Sequence, residues 1–506
     1  MKKTLRTFCL AATALAGITL TSCSDDDNGN NGSGGSKPDL EFYGLIAGNT
    51  LVKLNANDSD DAISTTTITG LESGDNIIAI DFRPQTGQLI GLGSTNRLYV
   101  INHLTGAAKA LGTAPFTPAV AGDMVGFDFN PTVDRIRLVT STGQNLRLNP
   151  ETGTVAATDG NLNPGTPQVG AAAYTNSTAG ATTTALFAIN FADGMLYKQD
   201  PPNDGTLTAI GSLDINNFST MSDGGFDIAQ DNTTALASFT IGSESKLYKI
   251  DLTTGKARNL GELDMPLIGL AIPVAPVAYA VASNTLHIFN PMDIGTPTTK
   301  TIQGLDAGVN IVGIDMRPAT GQLFALGSNS RIYTINVSNG TATAIGAAAF
   351  GTLDGTDFGF DFNPLVDRIR IVSNTGQNLR VNPNDGVLAA TDGSLNPGTP
   401  NVTSAAYTNN FAGTTSTELF VIDSTMDMLF KQNPPNDGTL VTVGMLGADV
   451  TAQSGFDIGG TSNTGYAILT VGSASKIYSV NTGSGAVTAM GNFPAAVSGF
   501  AVGLGF

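Results

Sequence analysis

The sequence predicts an all-β protein folded as two tandem five-bladed β-propellers made of four-stranded blades. Three observations lead there. The stretch GFDFNPTVDRIRLVTSTGQNLRLNP (Gly126–Pro150) returns as GFDFNPLVDRIRIVSNTGQNLRVNP (Gly359–Pro383), differing only at positions 132, 138, 140, 141 and 148, so the chain is a duplication. From Leu40 onward a unit of four short strand-like runs recurs at about 45 residues, the spacing of propeller blades. The chain holds 61 glycines, with abundant Thr and Asn and no long apolar pattern of period 3.6, which favours short strands and turns over helices.

The N-terminus stands apart from these repeats. Lys2, Lys3 and Arg6 precede an apolar run, Phe8–Leu20, too short for a permanent membrane span. It ends in Leu20-Thr21-Ser22-Cys23, which resembles the lipobox of bacterial lipoproteins. Residues 1–22 are therefore expected to be a cleaved signal peptide, with Cys23 lipidated and serving as a membrane anchor. Cys9 leaves with the signal, so no free thiol or disulfide is expected in the mature chain. Residues 23–38, rich in Asn, Gly and Ser, read as a flexible tether. Its acidic start, Ser24-Asp25-Asp26-Asp27, resembles a signal for surface export of Gram-negative lipoproteins, and reads equally as a solvated linker. An outer-membrane lipoprotein, exposed at the surface or facing the periplasm, is the expected location.

The clearest blade runs IIAIDFRP (77–84), GQLIGLGS (87–94), NRLYVINHLTG (96–106) and AAKALGT (107–113). Its third strand ends in Asn-x-x-Thr-Gly, where glycine supplies the positive φ of a tight hairpin. The same grammar continues through 126–160, 170–213 and 224–263. The opening unit, 41–71, has only three strands, and the missing inner strand is found downstream as PLIGLAIP (266–273). The second half opens with VAYAVAS at Val277 and closes with VSGFAVGLGF (497–506). A last strand that completes the first blade removes an exposed edge. Two rings are thus expected, at 39–273 and 277–506, joined by a stiff Pro273-Val274-Ala275-Pro276 linker. The alternative is one ten-bladed ring, with Pro266–Pro273 opening a sixth blade.

The pattern GFDFNPxVDRIRxV…TGQNLRxNP…TDGxLNPGT resembles the bacterial family called domain of unknown function 4394, present twice and covering nearly all of residues 40–506. The resemblance implies secreted or lipid-anchored proteins without an established activity, and it supplies no catalytic residues.

Aligned on their ends, the inner strands carry Asp81, Asp128, Ala173, Asp227 and Ala271 at one level, and Asp315, Asp361, Ala406, Asp457 and Ala501 in the copy. Inner strands line a propeller's axis, so three carboxylates converge in each half. They suit a hard cation such as Ca²⁺, or act as acceptors for the next blade's backbone or partners of an arginine. Asp134, Arg135, Arg137 and Arg147, with Asp367, Arg368, Arg370 and Arg380, form a second constellation. Arg135 and Arg137 lie two apart on one strand and leave by the same face. They read as an anion subsite, or as a ladder neutralising Asp128 and Asp134. The loops QDPPNDGTL (199–207) and QNPPNDGTL (432–440) lack the acid pattern of a calcium loop and read as rigid turns. TDGNLNPGTP (158–167) and TDGSLNPGTP (391–400) read as loops between blades.

A formal charge of −18 and the lack of any Lys/Arg cluster disfavour nucleic acid. The two histidines, His103 and His287, face Val337 and Val52 in the duplicate positions, so no His-based site is repeated, and both read as surface residues. The expected function is a monomeric, non-catalytic binding or scaffolding module for a glycan, peptide or protein, with no cofactor unless Ca²⁺. Alternatives are a carboxylate-dependent glycoside hydrolase and a structural surface or adhesion component.

Overall fold

The computed structural model describes residues 36–506, and residues 38–506 form one compact unit. The signal peptide, Cys23 and most of the tether lie outside the described residues. Ten antiparallel four-stranded sheets make up this unit, and eight of them use four consecutive strands. The other two are the closures. Gly269–Ala271 pairs with Glu41–Ile46, and Gly499–Val502 pairs with Ala278–Ala282.

Contacts between inner strands decide between one ring and two. Ile77–Phe82 adjoins Val125–Asn130, which is followed by Val169–Tyr174, Met221–Ile228 and Gly269–Ala271, and the last returns to Ile77–Phe82. In the second half the order is Ile311–Arg317, Phe358–Asn363, Val402–Tyr407, Ser454–Ile458 and Gly499–Val502, again returning to the first. Each half closes on itself. The protein is two five-bladed rings, and the ten-bladed alternative is excluded.

The burial pattern follows from position in the blade. Strands near the axis are covered on both faces by neighbouring blades, as at Leu89–Gly93, where every residue is buried. Outermost strands such as Thr154–Thr158 alternate exposed with half-buried. The core therefore lies between blades. Leu92, Leu98 and Val100 of one blade pack with Phe127, Ile136 and Leu146 of the next. Close approach of inner strands explains the glycine of the repeated block. A Cβ on Gly126 would stand 2.8 Å from the Ala172 nitrogen, and one on Gly359 2.8 Å from that of Ala405. The third-to-fourth-strand turns form as the sequence suggests: the Asn102 side chain accepts from the Leu104 and Thr105 N–H groups, and Gly106 takes φ +74°.

The linker does not hold the rings apart. The Tyr279 hydroxyl donates to the Gln85 carbonyl at 2.7 Å, the Gly505 N–H to that of Thr86 at 2.8 Å, and Arg83 Nη1 to that of Thr320 at 3.0 Å. Gln322 Nε2 reaches Glu151 Oε2 at 3.2 Å. Apart from Tyr279, on the first blade of the second ring, these groups come from first-to-second and third-to-fourth strand turns, or from the segment after the closing strand. In an antiparallel four-stranded blade those segments share one end. The rings meet through that end, leaving the second-to-third and blade-to-blade loops at the other.

Candidate functional site

The inner aspartates converge as their shared level implies. Asp81, Asp128 and Asp227 bring carboxylate oxygens within 4.8 Å of one another, and so do Asp315, Asp361 and Asp457. All six are between 1% and 6% exposed. Each also receives a backbone N–H from a neighbouring inner strand or the segment just after it. Phe129 donates to Asp81 at 2.7 Å, Tyr174 to Asp128 at 3.0 Å and Ile272 to Asp227 at 2.6 Å. In the copy, Phe362, Tyr407 and Val502 donate to Asp315, Asp361 and Asp457 at 2.7, 2.9 and 2.6 Å. Alanines at the remaining two blades of each ring are fully buried and leave this level to the acids.

No cationic side chain reaches these carboxylates among the described residues. Burial, and repulsion from the neighbouring aspartates, hold Asp81, Asp128, Asp315 and Asp361 well above the usual carboxylate range. Burial raises Asp227 and Asp457 to about 7, with their backbone donors pulling the other way. Three such groups share protons at neutral pH, or a hard cation replaces those protons. The six aspartates are thus the residues able to hold Ca²⁺. Beside the aspartate level the inner strands enclose a void of about 20 Å³ in the first ring and about 10 Å³ in the second, each the size of a water.

The arginine constellation assembles differently from the expected ladder. Asp128 and Arg137 are opposite one another in the strand pairing, yet Arg137 turns away. Its Nη1 donates to Asn145 Oδ1 and Asp159 Oδ2, both at 2.7 Å, its Nη2 to Asn203 Oδ1 at 2.7 Å, and its Nε to the Tyr174 hydroxyl at 3.3 Å. Arg147 clamps the same Asp159 through Nε and Nη2 at 2.8 and 2.9 Å. Although burial works to raise it, the two guanidiniums hold Asp159 below the usual range. Arg370 and Arg380 repeat this around Asp392, with Asn378, Asn436 and Tyr407. The ladder therefore does not neutralise Asp128 or Asp361; a fixed N–H in a strand already serves them, and the guanidinium finds a full carboxylate elsewhere.

Asp134 does pair with an arginine, but from the preceding blade: Arg83 grips it through both Nε and Nη2, as Arg317 grips Asp367. Arg135 and Arg368 donate to the carbonyl of the preceding aspartate at 2.7 and 2.9 Å, so Arg135 and Arg137 do not act together. Sequence reasoning missed Asp159, Asp392, Asn203, Asn436, Arg83 and Arg317 as members. The available signal was the recurrence of TDG and PPND in both halves. The PPND loop docks on the neighbouring blade, with Asn145 Nδ2 reaching the Pro202 carbonyl at 3.0 Å. Nor are the histidines surface residues. His103 is half-buried edge-on to Tyr43 and Phe82, and burial lowers its pKa to about 4; His287 lies half-buried against Phe493.

The family described as Domain of unknown function (DUF4394) matches residues 50–271 and again residues 285–501. No curated protein matches the chain. Among solved structures, PorZ, described as a bacterial surface component of the type-IX secretion system of Porphyromonas gingivalis, is 13% identical, with TM-score 0.26, over 90% of this chain and 59% of its own. The chain thus spans less than two thirds of that relative. The Dos1 propeller is 12% identical, with TM-score 0.27, over 63% of this chain and 82% of its own. The Swd1 propeller domain of Myceliophteria thermophila is 10% identical, with TM-score 0.26, over 63% and 97%.

Proposed function

Because the chain belongs to the DUF4394 family through both of its rings, a family named for no activity, we propose that it is a non-catalytic binding or scaffolding protein. The observation that carries this reading is the sealing of the inner carboxylates. A glycoside hydrolase needs two acids beside a bound sugar. Here the convergent acids are at most 6% exposed, hold backbone N–H groups of neighbouring strands, and lie beside voids the size of a water. Recognition then falls to the loops at the free end of each ring, which a rigid scaffold positions. The lipobox-like Leu20–Cys23 supports an outer-membrane anchor, with glycan, peptide or protein as the partner. We assign the six aspartates to blade-locking, with Ca²⁺ or shared protons as their neutraliser.

The test is incubation of the chain from Lys37 to Phe506 with a panel of polysaccharides, reading both retention and release of reducing ends. Saturable retention, or capture of an envelope protein, without new reducing ends is expected. Release that disappears in a well-folded Asp128→Asn variant would establish a hydrolase instead.

A further inference from the structure

The two rings are not equal at their free ends. From Leu213 to Phe226 the first ring runs three residues longer than the matching stretch from Leu446 to Phe456. The longer loop includes a short turn, Phe218–Thr220, entered through Asp214 and Asn217 at φ +56° and +57°. Phe218 fixes it to the blade, edge-on to Phe239 at 4.9 Å and to Phe191 at 6.1 Å, and Phe239 in turn contacts Tyr248 at 5.7 Å. In the second ring the matching positions are Ser424 for Phe191 and Leu469 for Phe239, and Val450 packs where the shorter loop enters the core. An aromatic anchor and an added loop occur together in one copy only.

Beside that loop lies a cavity of about 620 Å³, within the size range of small-ligand sites. Asn216, Asn217 and Asn259 contribute amides to its lining, Ser243 a hydroxyl, and Tyr248 an aromatic body. Its charges are internally balanced: Lys246 pairs with Glu244 at 2.5 Å, and Asp214 is 3.4 Å from Lys256. Paired charges attract neither an anion nor a cation strongly. Amides and carboxylates together suit vicinal hydroxyls, which both donate and accept, and the edge of Tyr248 gives the lining an apolar part. In the second ring Ala474 replaces Glu244 and Gly447 replaces Asp214, removing both carboxylates.

We propose that this cavity, beside the loop that is longer in the first ring, binds an uncharged oligosaccharide. The assignment rests on the binding-module reading above and names its site and ligand class. The oligosaccharide lies against the exposed edge of Tyr248, accepts hydrogen bonds from the Asn216 and Asn259 amides and donates to the Glu244 carboxylate.

Calorimetric titration of the full chain with maltotriose, cellotriose, xylotriose and chitotriose is the test, run on wild type, Asn259→Ala, Glu244→Ala and the second-ring control Lys476→Ala. At least one trisaccharide should bind wild type and the control alike, with ten-fold or greater weakening in Asn259→Ala and Glu244→Ala at unchanged melting temperature. Equal binding by all four proteins overturns the site while leaving a glycan-binding module. Binding of none of the sugars overturns the oligosaccharide assignment, and capture of an envelope protein would then keep the broader reading. Reducing-end release by wild type would overturn that reading itself.

Discussion

At the scale of single residues, Arg137 and Arg147 share one acceptor but differ in what their loss would do. Arg137 is 2% exposed and holds Asp159, Asn145, Asn203 and Tyr174 together across a blade boundary. Arg137→Ala leaves Asp159 to Arg147 alone and strands the buried Asn145 oxygen, a loss of about 1–3 kcal/mol, measured by denaturant unfolding. Arg147, a third exposed, leaves Asp159 its better partner, so Arg147→Ala should cost about 1 kcal/mol or less. Equal effects would show that Arg137 is not the centre of the network. The aspartate triads predict an unusual pH response. Their folded pKa values are raised, so the folded state holds more protons than the unfolded one once pH exceeds about 4. The stability they contribute is full below that value and is lost as pH rises through their folded values, about 7 for Asp227 and Asp457. His103 and His287, with lowered pKa values, oppose this below about 6.5, as two groups against six. In chelator, the melting temperature should therefore fall from pH 5 to pH 8, and Asp227→Asn should flatten the slope. Calcium should restore it at pH 8 and do little at pH 5, where protons compete. A flat profile with no calcium effect would mean that neither protons nor a cation neutralise the triads.

At the scale of strands and loops, the ring closures carry the largest consequence. Gly499–Val502 supplies the inner strand of the blade that opens with Ala278–Ala282, and the Val502 N–H is one of the two backbone donors, with Ile458, that Asp457 accepts. Deleting Val497–Phe506 would expose the edge of Ala278–Ala282 and leave Asp457 half-satisfied. Such a chain should be cleaved within its second ring by dilute protease that spares the intact protein; equal resistance would show that the ring survives open. This closure was legible in the sequence because PLIGLAIP and VSGFAVGLGF are strand-like runs left over after the blades are counted. The level of the inner aspartates was legible for a similar reason, since side chains alternate strictly and the strand ends supply the alignment. Partners were not. Arg137 finds Asn203 66 residues away, and Arg83 finds Asp134 51 residues away, both across a blade boundary. Strand periodicity fixes which face a guanidinium leaves by, but the choice among several acids depends on the packing angle between blades. His103 was misjudged on the same ground, because its cover comes from Tyr43 and Phe82 on other strands.

At the scale of the whole molecule, the use of one end of each ring to meet the other leaves two free ends, so duplication yields two separate loop-bearing surfaces rather than one larger one. The added loop is carried by the first alone. The seam between the rings is polar in part. Arg83, Asp134, Arg135, Glu151 and Gln322 line a cavity of about 270 Å³ there, and burial raises Glu151 above the usual carboxylate range. A space of that size and polarity accommodates several waters, so this part of the seam relies on its direct hydrogen bonds, while Phe411 and Ala412 pack against the first ring's core elsewhere. Tyr279 provides one of these, fully buried in the second ring and donating to the Gln85 carbonyl of the first. Tyr279→Phe keeps the packing and removes the donor, a loss of about 1–3 kcal/mol for the unsatisfied carbonyl. Because the seam couples the rings, wild type should unfold in one calorimetric transition, and the variant should shift the whole transition downward. Two separated transitions in wild type, neither moved by Tyr279→Phe, would show that the rings unfold independently and that their contact contributes nothing to the stability of either.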